Sequence, residues 1–195
     1  MSEQGKIRTF VALELAPEMK SELCGLIRSL KSSGAQVKWA RSGNLHLTLK
    51  FLGDVDESSV PLISEALSRV SGEVPFFRIS FSGIGVFPSW SRPRVIWAGV
   101  SRGKKEVEAL AAAVSSALES LGFEREKRAF RAHLTLGRVR GGRNTGKLRE
   151  AAEKAVIPAA VLPVKKVTLF RSELDPGGAM HSVLREFPLR PSEKK

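Results

Sequence analysis

The stretch NLHLTLKFLG (Asn44–Gly53) shares its centre with AHLTLGRVRG (Ala132–Gly141), so His-Leu-Thr-Leu stands twice in one chain. With five Thr, 22 Leu and 3 His among 195 residues, two histidines each followed by Leu-Thr-Leu arise by chance on the order of once in a million. The repeat alternates polar and apolar residues, the period of a half-buried strand. On such a strand Asn44, His46, Thr48 and Lys50 line one face, and Leu45, Leu47, Leu49 and Phe51 line the other. In the second copy Arg131, His133 and Thr135 share a face opposite Ala132, Leu134 and Leu136. Each copy offers an imidazole and a hydroxyl in one direction and leucines in the other.

The flanking sequence places both copies in the same context. IRTFVALEL (Ile7–Leu15) reads as a strand, and Pro17 suits the first turn of a helix running to about Leu30. VKWA and the first repeat follow as strands, then an amphipathic helix over Asp56–Val70 with Asp56 as a candidate cap. FFRISFSGIGVF (Phe76–Phe87) and RVIWAGV (Arg94–Val100) read as strands, and the Ala-rich helix after them stops at Gly122. Arg131–Val139 carries the second repeat, with a helix near Gly146–Ala155 and two late strands after it. Strand, helix, repeat strand thus occurs twice. That order predicts an α+β fold of two pseudo-symmetric lobes, with mostly antiparallel sheets facing a central groove and helices outside. No linker divides the halves, so residues 1–190 read as one bilobal domain of interleaved lobes and 191–195 as a polar tail.

Composition narrows the setting. A chain with 42% hydrophobic residues can bury a core, and 32 basic against 20 acidic residues give a net charge of +12, which favours polyanionic partners. No apolar run approaches the roughly 18 residues a spanning helix needs, and the start lacks a basic, then apolar, leader. A cytoplasmic protein that uses no membrane is expected. The single Cys24 falls at helical spacing with Met19, Leu23, Leu26, Ile27 and Leu30, so it reads as packing and not as a nucleophile.

Two imidazoles with ordinary pKa values near 6.5 can hold opposite protonation states, one accepting a proton from an attacking oxygen while the other gives one to a leaving oxygen. Two hydroxyls and a nearby cation would hold phosphate oxygens without a metal. A single copy reads more simply as a histidine and a threonine in a sheet; the matched pair in a basic chain reverses that preference. Zinc would need further ligands, and HExxH or CxxC patterns are absent. His181 is the one spare histidine, and its place after Gly177 and Gly178 reads as a solvated strand start. Neither metal nor cofactor is expected.

The paired motifs, 133 − 46 = 87 residues apart, together with RTFVALEL, HLTLKFLGDV, GIGVFPSWSRPRVIWAGV and HLTLGRV, resemble the two-histidine (2H) phosphoesterases over nearly the whole chain. The middle segment is similar to their RNA 2',3'-cyclic phosphodiesterase branch, also called 2'-5' RNA ligase or LigT-like. The resemblance implies a bilobal fold and metal-independent opening of RNA 2',3'-cyclic phosphates to 2'-phosphomonoesters. It matches His46 to the proton donor and His133 to the proton acceptor, and Thr48, Thr135 and Arg138 to substrate-binding positions. Strict alternation from His133 turns Arg138 to the opposite face, unless Gly137 permits a bulge or the strand ends there. Lys50 has the parity to reach the phosphate. Trp97 reads as core, whereas Phe87 or Trp90 could stack a base. RNA or nucleotides bearing a cyclic phosphate are the expected partners, with no obligate protein partner and a monomeric state. Two other readings stay open: a basic RNA-binding module with incidental histidines, and 2'-5' ligation of tRNA-like ends by the same groups in reverse.

Overall fold

The computed structural model describes residues 5–125, 128–157, 159–175 and 178–191, so the polar tail lies outside the described residues apart from Pro191. In chain order the elements are β1 (Lys6–Glu14), α1 (Pro17–Lys31), β2 (Val37–Trp39), a 3-10 turn (Ser42–Asn44) and β3 (His46–Asp56). Then come α2 (Val60–Glu73), β4 (Phe77–Ile79), β5 (Phe81–Phe87), β6 (Val95–Val100), α3 (Lys104–Glu119) and β7 (His133–Val139). The chain closes with α4 (Thr145–Lys154), β8 (Leu162–Val164), β9 (Lys166–Asp175) and β10 (Gly178–Pro188).

Two four-stranded sheets form, in the orders β10-β9-β1-β3 and β2-β7-β6-β5, and every pairing within them is antiparallel. The α+β expectation holds, with a specific exchange between halves. The first sheet is completed by the late strands β9 and β10, and the second takes β2 from the first half. Each repeat strand pairs with an earlier strand of its own half, β3 with β1 across the intervening β2, and β7 with β6. Helices α2 and α3 pack together against β9, β10 and β3, while α1 lies with α4, which packs on β5. The repeat strands β3 and β7 also approach each other, which brings the two sheets together at the repeats.

The helical stripes explain these layers. Met19, Leu23, Leu26, Ile27 and Leu30 of α1 and Val107, Leu110, Val114 and Leu118 of α3 are buried at spacings of three and four. They share one continuous core with Leu47, Leu49, Leu134 and Leu136 from the apolar faces of the repeats. Cys24 packs against that core, as its spacing predicts. Pro17 opens α1 as expected. Asp56 does not cap α2: it ends β3, a 3-10 turn follows, and the helix begins only at Val60. The strand expected over Phe76–Phe87 is two strands, because β4 leaves to pair with β8. No helix among the described residues is long and apolar enough to cross a membrane.

Candidate active site

The repeats agree in backbone as well as in sequence. Opposite β3, Val11 pairs with Lys50 and Ala12 with Thr48, leaving Leu49 without a partner. Opposite β7, Ile96 pairs with Gly137 and Trp97 with Thr135, leaving Leu136 with no residue opposite it on β6. Both strands therefore carry a bulge at the same motif position. A bulge inserts one residue and reverses the alternation beyond it. Counted from each histidine, both strands run half-buried, buried, half-buried, buried, buried, exposed. His46 and Thr48 match His133 and Thr135, and the sixth positions, Phe51 and Arg138, return to the histidine face.

Strict alternation therefore fails for Lys50, and for Arg138 the bulge that would reverse it is present. Lys50 faces away from the histidines; it is only 3% exposed, and its Nζ donates to the Glu124 carbonyl at 2.7 Å and to Ser115 Oγ at 3.2 Å. Its work is to tie the end of α3 to the back of the first sheet. Arg138 lies on the same face as His133, since the bulge at Leu136 supplies the missing reversal. Gly137 serves a different need: a Cβ there would stand 2.7 Å from Val37 Cγ1 and 3.1 Å from the Lys38 carbonyl, so the glycine lets β2 approach.

His46 sits in an aromatic enclosure. Its ring stacks on Phe10 with centroids 4.7 Å apart, Phe170 lies 5.9 Å away, and His181 meets it edge-on at 5.3 Å. Phe10 and Phe170 stack at 5.1 Å and, with Ala12, form a small apolar cluster on the face opposite the main core. Phe51 adds a ring 6.1 Å from Phe10 and is 58% exposed. Burial lowers the His46 pKa to about 4, helped by His181 and Lys20 nearby. Glu14, directly across the strand pair, is engaged by Lys166 at 3.0 Å.

The surroundings of His133 are different. Its Nδ1 lies 2.6 Å from the Arg131 carbonyl. A carbonyl only accepts, so this contact places the neutral ring's proton on Nδ1 and leaves Nε2 with its lone pair. Burial lowers the His133 pKa; the Arg131 carbonyl acts against this, and the charge of Arg138 adds to the lowering. Phe87 and Trp97 wall the ring edge-on at 5.0 and 6.2 Å, and the Arg131 guanidinium lies 5.9 Å over the Phe87 ring. Trp97 is thus half-buried on the histidine face and not part of the core, and it lies flat over Gly85, where a Cβ would come within 2.3 Å of the indole. Trp90 packs against the core instead.

Neither the Thr48 nor the Thr135 hydroxyl has a hydrogen-bond partner among the described residues, and Arg138 forms no ion pair there. Two hydroxyls, a guanidinium and an unprotonated Nε2 are therefore free to engage a ligand on the repeat faces. His181 is not a solvated strand start. It is half-buried on β10 against His46 and Phe10, a placement set by a sheet order that local sequence does not encode. Among the described residues no three His, Cys, Asp or Glu side chains gather as a ligand set, so His46 and His181 have no third ligating neighbour. Phe10 and Phe170 escaped the sequence reading too, although Phe10 interrupts the otherwise polar or small face Arg8, Ala12, Glu14 of its strand.

Comparison with known proteins agrees with this duplicated architecture. The chain is 36% identical to the RNA 2',3'-cyclic phosphodiesterase of Methanothermobacter thermautotrophicus over 94% of its own length and 100% of the relative's. It is 32% identical to the protein of the same name from Thermotoga maritima, covering 92% and 94% of the two chains. The fold is similar to the crystal structure of TT0787 of Thermus thermophilus, with a TM-score of 0.80, 27% identity and coverage of 96% and 100%. It is similar also to that of E. coli LigT in apo form, with a TM-score of 0.77, 23% identity and coverage of 95% and 99%. The profile of the LigT-like phosphoesterases matches residues 13–97 and 99–181, so that both repeats fall inside it, and the chain belongs to that family.

Proposed function

We propose that this protein hydrolyses RNA 2',3'-cyclic phosphate ends to 2'-phosphomonoesters, with His46 as the proton donor and His133 as the proton acceptor. The observation that carries the reading is the repeated strand geometry: in each lobe the histidine and an unengaged threonine hydroxyl share one face, and the shared bulge returns the sixth-position side chain to it. The names of the relatives support the substrate class. In this scheme the phosphate lies between the repeats, held by Thr48, Thr135 and Arg138. Nε2 of His133 takes a proton from water as the water oxygen bonds to phosphorus. The bond from phosphorus to the 3'-oxygen breaks, and His46 supplies that oxygen with a proton. The histidines end the turnover with exchanged protonation states and reset through solvent.

The low pKa of His46 adds a condition. At pH 7 a group with a pKa of about 4 is protonated in roughly one molecule in a thousand. The donor therefore has to acquire its proton as the anionic phosphate arrives, so binding is coupled to proton uptake. Donor hydroxyls and a guanidinium do the electrostatic work in this scheme, and no metal is required.

The test is turnover of a nucleoside 2',3'-cyclic phosphate in excess EDTA by the wild type, His46→Ala and His133→Ala. Loss of at least roughly a hundredfold is expected in each variant, with the fold intact. Near-normal hydrolysis by either variant, or activity lost on chelation and restored by zinc, refutes the scheme.

A further inference from the structure

His181 is three strands from His46 in the order β10-β9-β1-β3, about 14 Å on a flat sheet at the usual strand spacing. Their ring centroids are 5.3 Å apart. The start of β10 therefore curls over the histidine face, and Asn44, two residues before His46, holds it there by donating Nδ2–H to the Ala179 carbonyl at 2.8 Å. Phe10 supports both rings, stacked under His46 at 4.7 Å and edge-on to His181 at 4.9 Å. Phe170 completes the enclosure. Another phenylalanine would serve packing alone; an imidazole here carries a buried Nδ1 with no hydrogen bond of good geometry, a cost that packing does not call for.

We propose that His181 is a positioning residue for the reaction: it fixes the ring of His46 and competes with it for a single proton, and so governs when the donor is charged. The inference rests on the phosphodiesterase reading for its catalytic consequence, though not for the coupling itself. Two half-enclosed imidazoles at this distance do not both ionise freely. Other charges near the pair do not remove the competition. Lys20 of α1 opposes a proton on His46, Glu14 of β1 is held by Lys166 of β9, and Lys166 also bonds Glu186 of β10. No carboxylate among the described residues pairs with either ring. Burial lowers the His181 pKa while the Met180 carbonyl opposes the lowering, and His181 is the less enclosed of the two rings. On acidification His181 charges first and holds His46 neutral. Near neutrality His181 is uncharged, and His46 can accept the proton that substrate binding requires.

The experiment compares wild type with His181→Gln, which removes the charge, and His181→Phe, which keeps a ring. The His46 ring resonances are followed by NMR from pH 8 to pH 3, and kcat and KM are measured across the same range. Even at the dielectric of bulk water, a charge 5.3 Å away displaces a titration by about half a pH unit. In the wild type the His46 resonance should therefore move in two steps, one following His181. In both variants it should move in one. Its midpoint in His181→Gln should lie at least about half a unit higher, with the acid limb of kcat/KM moving in the same direction. His181→Phe, which keeps a ring against His46 and Phe10, should lose the wild-type shape of the pH profile as His181→Gln does. A single His46 step at the same midpoint in all three proteins makes His181 a packing residue only and overturns the proposal. Inactivity of the wild type on cyclic phosphates would sink the catalytic reading separately, since the NMR titration reads the coupling without substrate.

Discussion

Acid should destabilise this protein through His46. The ring's pKa is lowered from 6.5 to about 4 in the fold, so between those values the unfolded chain binds the proton more tightly than the native protein does. Stability from this group is fully present above about pH 6.5 and falls as the pH drops toward 4. Below that both states are protonated and the loss is complete. Taking (1 + 10^(6.5 − pH))/(1 + 10^(4 − pH)) as the change in the unfolding constant, the loss is about 2 kcal/mol at pH 5 and about 3 kcal/mol at pH 4. His133 and His181 are lowered in the same direction and add to the slope, so the measurement needs a reference that retains them. His46→Gln provides it. Urea unfolding of both proteins at pH 7.5, 6 and 5 should show the wild type losing on the order of 2 kcal/mol more than the variant by pH 5. Parallel slopes would mean that His46 titrates normally in the fold, and the enclosure by Phe10, Phe170 and His181 would not have the effect argued for it.

Further outcomes follow from the bulges and the charge. Lys50→Met should cost about 1–3 kcal/mol, because it strands the Glu124 carbonyl contact, while leaving kcat within a factor of two; a collapse of kcat with stability intact would return Lys50 to the site. Arg138→Gln should raise KM for a cyclic nucleotide by roughly tenfold or more, consistent with a charge-assisted phosphate contact, and an unchanged KM would remove Arg138 from the substrate. If the +12 charge serves RNA, an oligonucleotide ending in a cyclic phosphate should bind more tightly than the mononucleotide, with the difference shrinking as salt rises. Equal, salt-independent affinities would leave a small-nucleotide enzyme.

The repeats disclosed their own faces because the first three residues of each motif precede the bulge, where alternation is reliable. His46, Thr48, His133 and Thr135 lie where period 2 puts them. Beyond Leu49 and Leu136 the same rule fails. Gly137 adjoins the second bulge but no glycine adjoins the first, since a bulge is a property of the pairing with Ala12 or Trp97 and not of the residue that bulges alone. That is why parity alone put Lys50 on the histidine face and turned Arg138 away from it, unless a bulge intervened, as one does. Helix stripes and most element types were accessible for the complementary reason that they are local. The exchange of β2 and the β9–β10 pair between sheets is not local, and neither is anything that depends on it. His181 and Phe170 reach His46 only because β10 and β9 join the sheet of β1 and β3. Trp97 was misplaced because a short apolar run such as RVIWAGV does not reveal which of its faces meets the core.

The central claim is tested most directly by the product. Water attacking a 2',3'-cyclic phosphate can expel either oxygen, and a donor and an acceptor fixed on separate strands protonate only the oxygen in line with the attack. Phosphorus NMR of the metal-free reaction, compared with authentic standards, distinguishes the outcomes. The account predicts a single 2'-phosphomonoester. A 3'-phosphate would reverse the assignment of leaving oxygen to His46, and a mixture of both isomers would contradict the in-line pairing of His46 with His133.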